Sequence, residues 1–148
     1  MSLQARLSQE LKSAMLSKDS DRLSTLRLLK SSIGYTQLER KTDTLSDADF
    51  VAVVQKELKK RRDSIEQYEK GGRPELAAKE QKEIPVLESF LPQPLSPADL
   101  EQLIKMTILE LAATSKKDMG TVIKAVQAKA AGRADGRSIS AAVGKLLP

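Results

Sequence analysis

The stretch Phe90-Leu-Pro-Gln-Pro-Leu-Ser-Pro-Ala-Asp-Leu100 divides the chain and decides how the rest is read. Pro92, Pro94 and Pro97 fall within six residues. Each removes a backbone donor and crowds the turn before it, so no continuous helix passes through them. The same stretch starts a new helix. Ser96 suits the N-cap, Pro97 the first helical position where an N–H is dispensable, and Asp99 the third. The expectation is an N-terminal domain over 1–93 and a C-terminal domain over 94–148.

Upstream, apolar residues recur at helical spacing. Leu3, Leu7, Leu11 and Ala14/Met15 predict a first helix capped by Ser2. Leu23, Leu26, Leu29, Ile33 and Leu38 predict a second, starting at Ser20 or Asp21 and ended by Thr-Asp-Thr-Leu-Ser-Asp. Ser46 caps a third whose stripe is Phe50, Val54, Leu58, Ile65 and Tyr68, stopped by Gly71-Gly72. Pro74 opens a fourth carrying Leu76, Ile84 and Leu87, which Pro85 is expected to kink or break.

Downstream, Leu100, Leu103, Ile104, Ile108 and Leu111 form the buried face of the helix starting at Ser96. Ser115 and Asp118 open the next, with Met119, Val122, Ile123 and Val126 inward and Gly132 as its stop. A last helix begins near Asp135 and runs through Ile139, Val143, Leu146 and Leu147. No β-alternation and no internal repeat interrupts this pattern. The fold class is all-α: an N-terminal bundle of about four helices plus a small C-terminal three-helix domain.

Composition narrows the chemistry. The 148 residues include no Cys and no His, which removes thiolate metal sites, thiol nucleophiles and the commonest general base. No catalytic residue, cofactor site or metal site is assigned. There is no apolar run near the roughly 20 residues of a membrane span, and the first residues lack the apolar centre of a signal peptide. A soluble, cytoplasmic protein without membrane partners is expected.

Charge is unevenly distributed. Between Thr114 and Arg137, Lys116, Lys117, Lys124, Lys129, Arg133 and Arg137 stand against Asp118 and Asp135, a surplus of +4 out of the chain's formal +5. Gly120, Gly132, Asp135 and Gly136 are the expected turn residues, and helix starts at Ser115 and Asp135 would expose N–H groups beside those cations. The six cations are the candidate phosphate-binding set. With no aromatic among them, RNA backbone and shape are the expected targets. The run Lys59-Lys60-Arg61-Arg62 is set aside, because consecutive helical residues point about 100° apart. Glu57, Asp63 and Glu66 also lie at i,i+4 spacing to it, as on a solvated, salt-bridged face.

The motifs Phe90–Ser96, Thr-Ser-Lys-Lys-Asp-Met-Gly (114–120) and Gly-Arg-Ala-Asp-Gly-Arg (132–137) resemble the GatB/YqeY family in order and spacing. Its members are small stand-alone proteins similar to the tail of the B subunit of tRNA-dependent amidotransferase. The resemblance spans nearly the whole chain for the stand-alone branch, and from about Pro97 onward for the amidotransferase tail. It implies a helical bundle followed by a three-helix tail that grips tRNA, with Gly120, Lys124, Gly132, Ala134 and Asp135 matching the motif. Ala131 and Ser140 depart from it, standing where Lys and Asn are common. Nothing in the chain matches the kinase or transamidase domains of that complex. The resemblance therefore implies a non-catalytic tRNA-binding module. Its alternatives are an adapter for an aminoacyl-tRNA synthetase or amidotransferase subunits, and a carbon–nitrogen ligase activity with glutamine as amide donor.

Overall fold

The computed structural model describes residues 1–148 and contains seven α-helices and no strand. The helices are α1 (Leu3–Leu16), α2 (Ser20–Arg40), α3 (Asp47–Lys70), α4 (Pro74–Glu88), α5 (Pro97–Leu111), α6 (Met119–Ala130) and α7 (Gly136–Leu146). A 3₁₀ turn, Lys116–Asp118, precedes α6. The helices gather into two compact units, Met1–Leu91 and Pro92–Pro148.

Local capping chemistry sets most of the boundaries in the first unit. Ser2 Oγ accepts from the Ala5 N–H and Ser46 Oγ from the Asp49 N–H, which satisfies donors that the first helical turn leaves open. Asp19 caps α2 by accepting from the Arg22 N–H, one residue before the expected start. The core of this unit joins Leu7 of α1, Leu26, Leu29 and Ile33 of α2, Phe50, Val54 and Leu58 of α3, and Leu87 and Phe90 at the end of α4. The rings of Phe50 and Phe90 meet at 5.7 Å between centroids. The Arg6 guanidinium lies 4.8 Å over the Phe90 ring and donates to the Ser89 carbonyl, so one side chain covers the aromatic pair and a helix end together.

Three expectations for this unit change. α4 runs through Pro85 to Glu88 without a break. Pro85 leaves the carbonyl four residues back without its helical donor, and that position, Gln81, is exposed, where water can satisfy it. Leu38 does not join the core: it is 77% exposed, because five residues beyond Ile33 it is rotated about 140° from the buried stripe. The run Lys59–Arg62 is not wholly solvated. Arg61 is buried and bridges α3 to α4, with Nε 2.8 Å from Glu83 and an Nη 3.0 Å from Glu57. The Ser32 hydroxyl of α2 donates to Glu57 at 2.8 Å, so one guanidinium organises three helices. Arg62 reaches Glu88 of α4 at 3.7 Å, and Lys70 pairs with Glu66 at 3.1 Å.

The second unit has its own core: Leu100 and Ile104 of α5, Val122 and Val126 of α6, Ile139 and Val143 of α7, and Leu147. Ser96 Oγ accepts from the Asp99 N–H, and Pro97 stands at the first position of α5. Leu111, expected on the buried face, is 43% exposed, because α5 ends there and Ala112 turns into the left-handed region. α6 and α7 run antiparallel. A Cβ on Gly136 would stand 3.4 Å from Gln127, and one on Gly144 would stand 3.5 Å from Met119, so each end of α7 meets the opposite end of α6.

Candidate nucleic-acid interface

The six expected cations all lie in the second unit, on exposed residues, but the structure gives them different tasks. Lys116 and Lys117 occupy the 3₁₀ turn ahead of α6 and form no ion pair. Lys124 lies mid-helix on the face of α6 opposite the buried Val122, Val126 and Ala130, and also forms no ion pair. Lys129, five residues on, is rotated about 140° from Lys124. Its ammonium pairs with Glu110 of α5 and donates to Thr107 Oγ1 at 3.3 Å, so its charge is already answered. Arg133 donates from Nε to the Gln93 carbonyl at 2.9 Å, while its own carbonyl accepts the Leu95 N–H at 2.8 Å. Arg137 follows Gly136 in the first turn of α7.

α6 has 12 residues, about 18 Å along its axis, and separates the cations into two ends. Lys116 and Lys117 mark one end, where Met119 meets Gly144 of α7. Arg133 and Arg137 mark the other. Lys124 stands between them on the outer face. A single phosphate cannot span that distance, whereas a polyanion can engage both ends and the middle together.

The helix starts differ from the sequence expectation. Ser115 opens no α-helix: its hydroxyl accepts the Lys117 N–H of the 3₁₀ turn at 3.3 Å, and the Asp118 carboxylate reaches back to the Thr114 N–H at 3.0 Å. At α7 the Asp135 carboxylate accepts from the Ser138 N–H at 2.6 Å. Both starts thus hold the chain's own acceptors, and the cationic side chains carry the attraction for anions. The glycines also divide. Gly132 has φ +87°, a conformation that favours glycine, and follows Ala131 at φ +49°. Gly136 permits the close approach of Gln127. Gly120 is a helical residue of α6 with open space where a Cβ would stand, so neither turn nor packing requires it.

Sequence reading did not identify the groove beside Arg133. Leu95, Leu103, Met106 and Ala130 form its apolar lining, Gln102 adds an amide, and Asp99 faces the two cations Lys129 and Arg133. A signal was present in Asp99, Gln102, Leu103 and Met106, which recur at helical spacing beside the buried line of Leu100, Ile104 and Thr107.

A 118-residue match at 30% identity joins the chain to the mitochondrial altered inheritance of mitochondria protein 41 of Vanderwaltozyma polyspora, covering 78% of this chain and 62% of that protein. The protein of the same name from Pyrenophora tritici-repentis matches at 30% identity over 87% of this chain and 71% of its own length. An uncharacterized protein of Schizosaccharomyces pombe is 40% identical over 62% of this chain and 73% of its own length. The chain thus spans between about three fifths and three quarters of these three relatives. The family model described as Yqey-like protein matches residues 4–147, across both units, and the chain belongs to that family.

Proposed function

We propose that the C-terminal unit binds folded RNA, tRNA in the first instance, through its phosphate backbone. The observation that carries this reading is the row Lys116–Lys117, Lys124 and Arg133, exposed along about 18 Å of α6 with no carboxylate paired to any of them. Cations that no carboxylate neutralises attract a polyanion at long range and release its counterions on contact. The absence of aromatic side chains along that row favours reading of backbone and shape. The resemblance of Gly132–Arg137 and Thr114–Gly120 to the amidotransferase tail supports tRNA among folded RNAs. The test is binding of total tRNA at several salt concentrations beside Lys116→Glu and Lys124→Glu. Absence of binding at low salt, or indifference to both reversals, refutes the proposal.

A second reading, a protein-interaction adapter, is favoured by one observation on the first unit. Leu28, Tyr35 and Leu38 are 50%, 71% and 77% exposed and share the outer face of α2 at helical spacing. Protein partners that survive nuclease treatment in a pull-down, and that are lost with Tyr35→Ser, would favour the adapter over direct RNA binding.

A further inference from the structure

The groove between α5 and the end of α6 has a composition that phosphate binding does not use. Its volume is about 270 Å³, slightly below the roughly 300–1,000 Å³ of a drug-sized site. Leu103 and Met106 of α5, with Leu95 and Ala130, offer aliphatic and thioether surface suited to a flat ring. Asp99, Lys129 and Arg133 line the same groove; Lys129 pairs with Glu110, and no ion pair joins Asp99 to either cation. Arg133 is held by its Nε on the Gln93 carbonyl, which leaves its terminal amino groups for an external acceptor. The Asp99 carboxylate has neither a hydrogen-bond donor nor a cation on it, while its backbone N–H serves the Ser96 cap.

An occupant must therefore present an apolar flat face, an anionic group and a pair of donors within one small unit. We propose that this groove receives one unstacked nucleotide of the bound RNA, with guanine preferred, an inference that rests on the RNA reading above. Guanine alone among the common bases carries two adjacent donors, N1–H and N2–H, on its Watson–Crick edge, and a carboxylate accepts both. Arg133 takes the adjoining phosphate, which makes the groove continuous with the cationic row. The chain thereby gains a base-reading element without an aromatic side chain: Met106 and Leu103 provide the stacking surface.

The four methionines make the test direct. In protein labelled at the methionine methyl groups, Met106 lies in the groove, whereas Met1 and Met15 belong to the other unit and Met119 to the far end of α6. Single-stranded UUGUUU, UUAUUU and UUIUUU, with inosine at the third position, are titrated at low salt beside intact tRNA. The expected result is a ring-current shift confined to Met106, saturating at about fivefold lower concentration for the guanine strand than for either other strand. Asp99→Asn removes that preference, and circular dichroism verifies that the helices persist. If tRNA binds and the Met106 methyl does not respond, the groove proposal is wrong and the RNA reading stands. If neither tRNA nor any strand binds at low salt, the RNA reading fails and takes the groove proposal with it. An equal Met106 shift with polyglutamate also overturns the nucleotide assignment, since it would mark a general anion-docking groove.

Discussion

The backbone N–H of Leu95 donates to the carbonyl of Arg133 at 2.8 Å, and the Arg133 side chain returns a bond to the Gln93 carbonyl at 2.9 Å. The proline-rich segment before α5 and the turn before α7 are stitched by one residue through both its main chain and its side chain. Arg133 therefore has a structural task beside its charge. Arg133→Ala removes the side-chain bond and is expected to cost about 1 kcal/mol of stability. The Leu95 amide should stay protected in hydrogen exchange, since its acceptor is main chain. Loss of that protection would mean that the side chain holds the segment alone.

Arg61 is the most heavily committed charge in the first unit. Its removal leaves Glu57 and Glu83 without their shared cation, Glu57 being buried. Arg61→Ala is expected to destabilise by about 3–5 kcal/mol in urea unfolding. Replacing Arg61, Glu57 and Glu83 together by Met, Gln and Leu should recover most of that loss, because the only charge left without its partner is the exposed Lys60. A cost below about 1 kcal/mol for Arg61→Ala would show that the network is solvated.

The carboxylates around Arg61 respond to pH in opposite senses. Burial raises Glu57, but the Ser32 hydroxyl, Arg61 and Lys60 lower it by more, so it stays ionised below the usual carboxylate range. Its stabilising contribution is complete above its unfolded pKa and is lost as pH falls through the depressed folded value. Glu80 is raised, first by burial and then by the charge of Glu83 and a hydrogen bond with it, against the pull of Arg61 and Lys79. Its ionised form disfavours the fold at neutral pH, and that penalty fades as pH falls through the raised folded value toward 4.5. Glu80→Gln should therefore raise the melting temperature at pH 7, and the gain should shrink as pH approaches 4.5. A gain that grows with acidification would reverse the assignment.

Ala112 ends α5 in the left-handed region at φ +50°, where a Cβ is strained. Ala112→Gly relieves that strain at some cost in unfolded-chain entropy, for a net stabilisation of about 0.5–1 kcal/mol. A shift of thermal midpoint without change in RNA binding is the expected outcome.

Legibility of the chain follows the range of the forces involved. The starts at Ser46, Ser96 and Asp135 depend on a side chain reaching three residues forward, so sequence alone places those helices. The start at Ser115 departs from its sequence pattern because the Asp118 carboxylate turns back to the Thr114 N–H, and a 3₁₀ turn results. Arg61 departs from its pattern because i,i+4 spacing with Glu57 looks the same on a wet face and in an interface. The clue is the gap in the stripe between Leu58 and Ile65, which falls on residue 61. Among the six expected cations, sequence does not separate Lys124 from Lys129. Only the packing of α5 on α6 brings Glu110 to Lys129 and leaves Lys124 without a partner.

That difference provides the most direct measurement: the slope of log affinity for tRNA against log salt, for the native protein and three single variants. Lys116→Glu and Lys124→Glu should each weaken binding and flatten the slope by about 0.7–0.9, the share of one neutralised phosphate. Lys129→Gln, whose native charge is answered by Glu110, should change the slope by less than either reversal. No binding at low salt, or equal effects of all three substitutions, would contradict the proposed phosphate-binding row along α6.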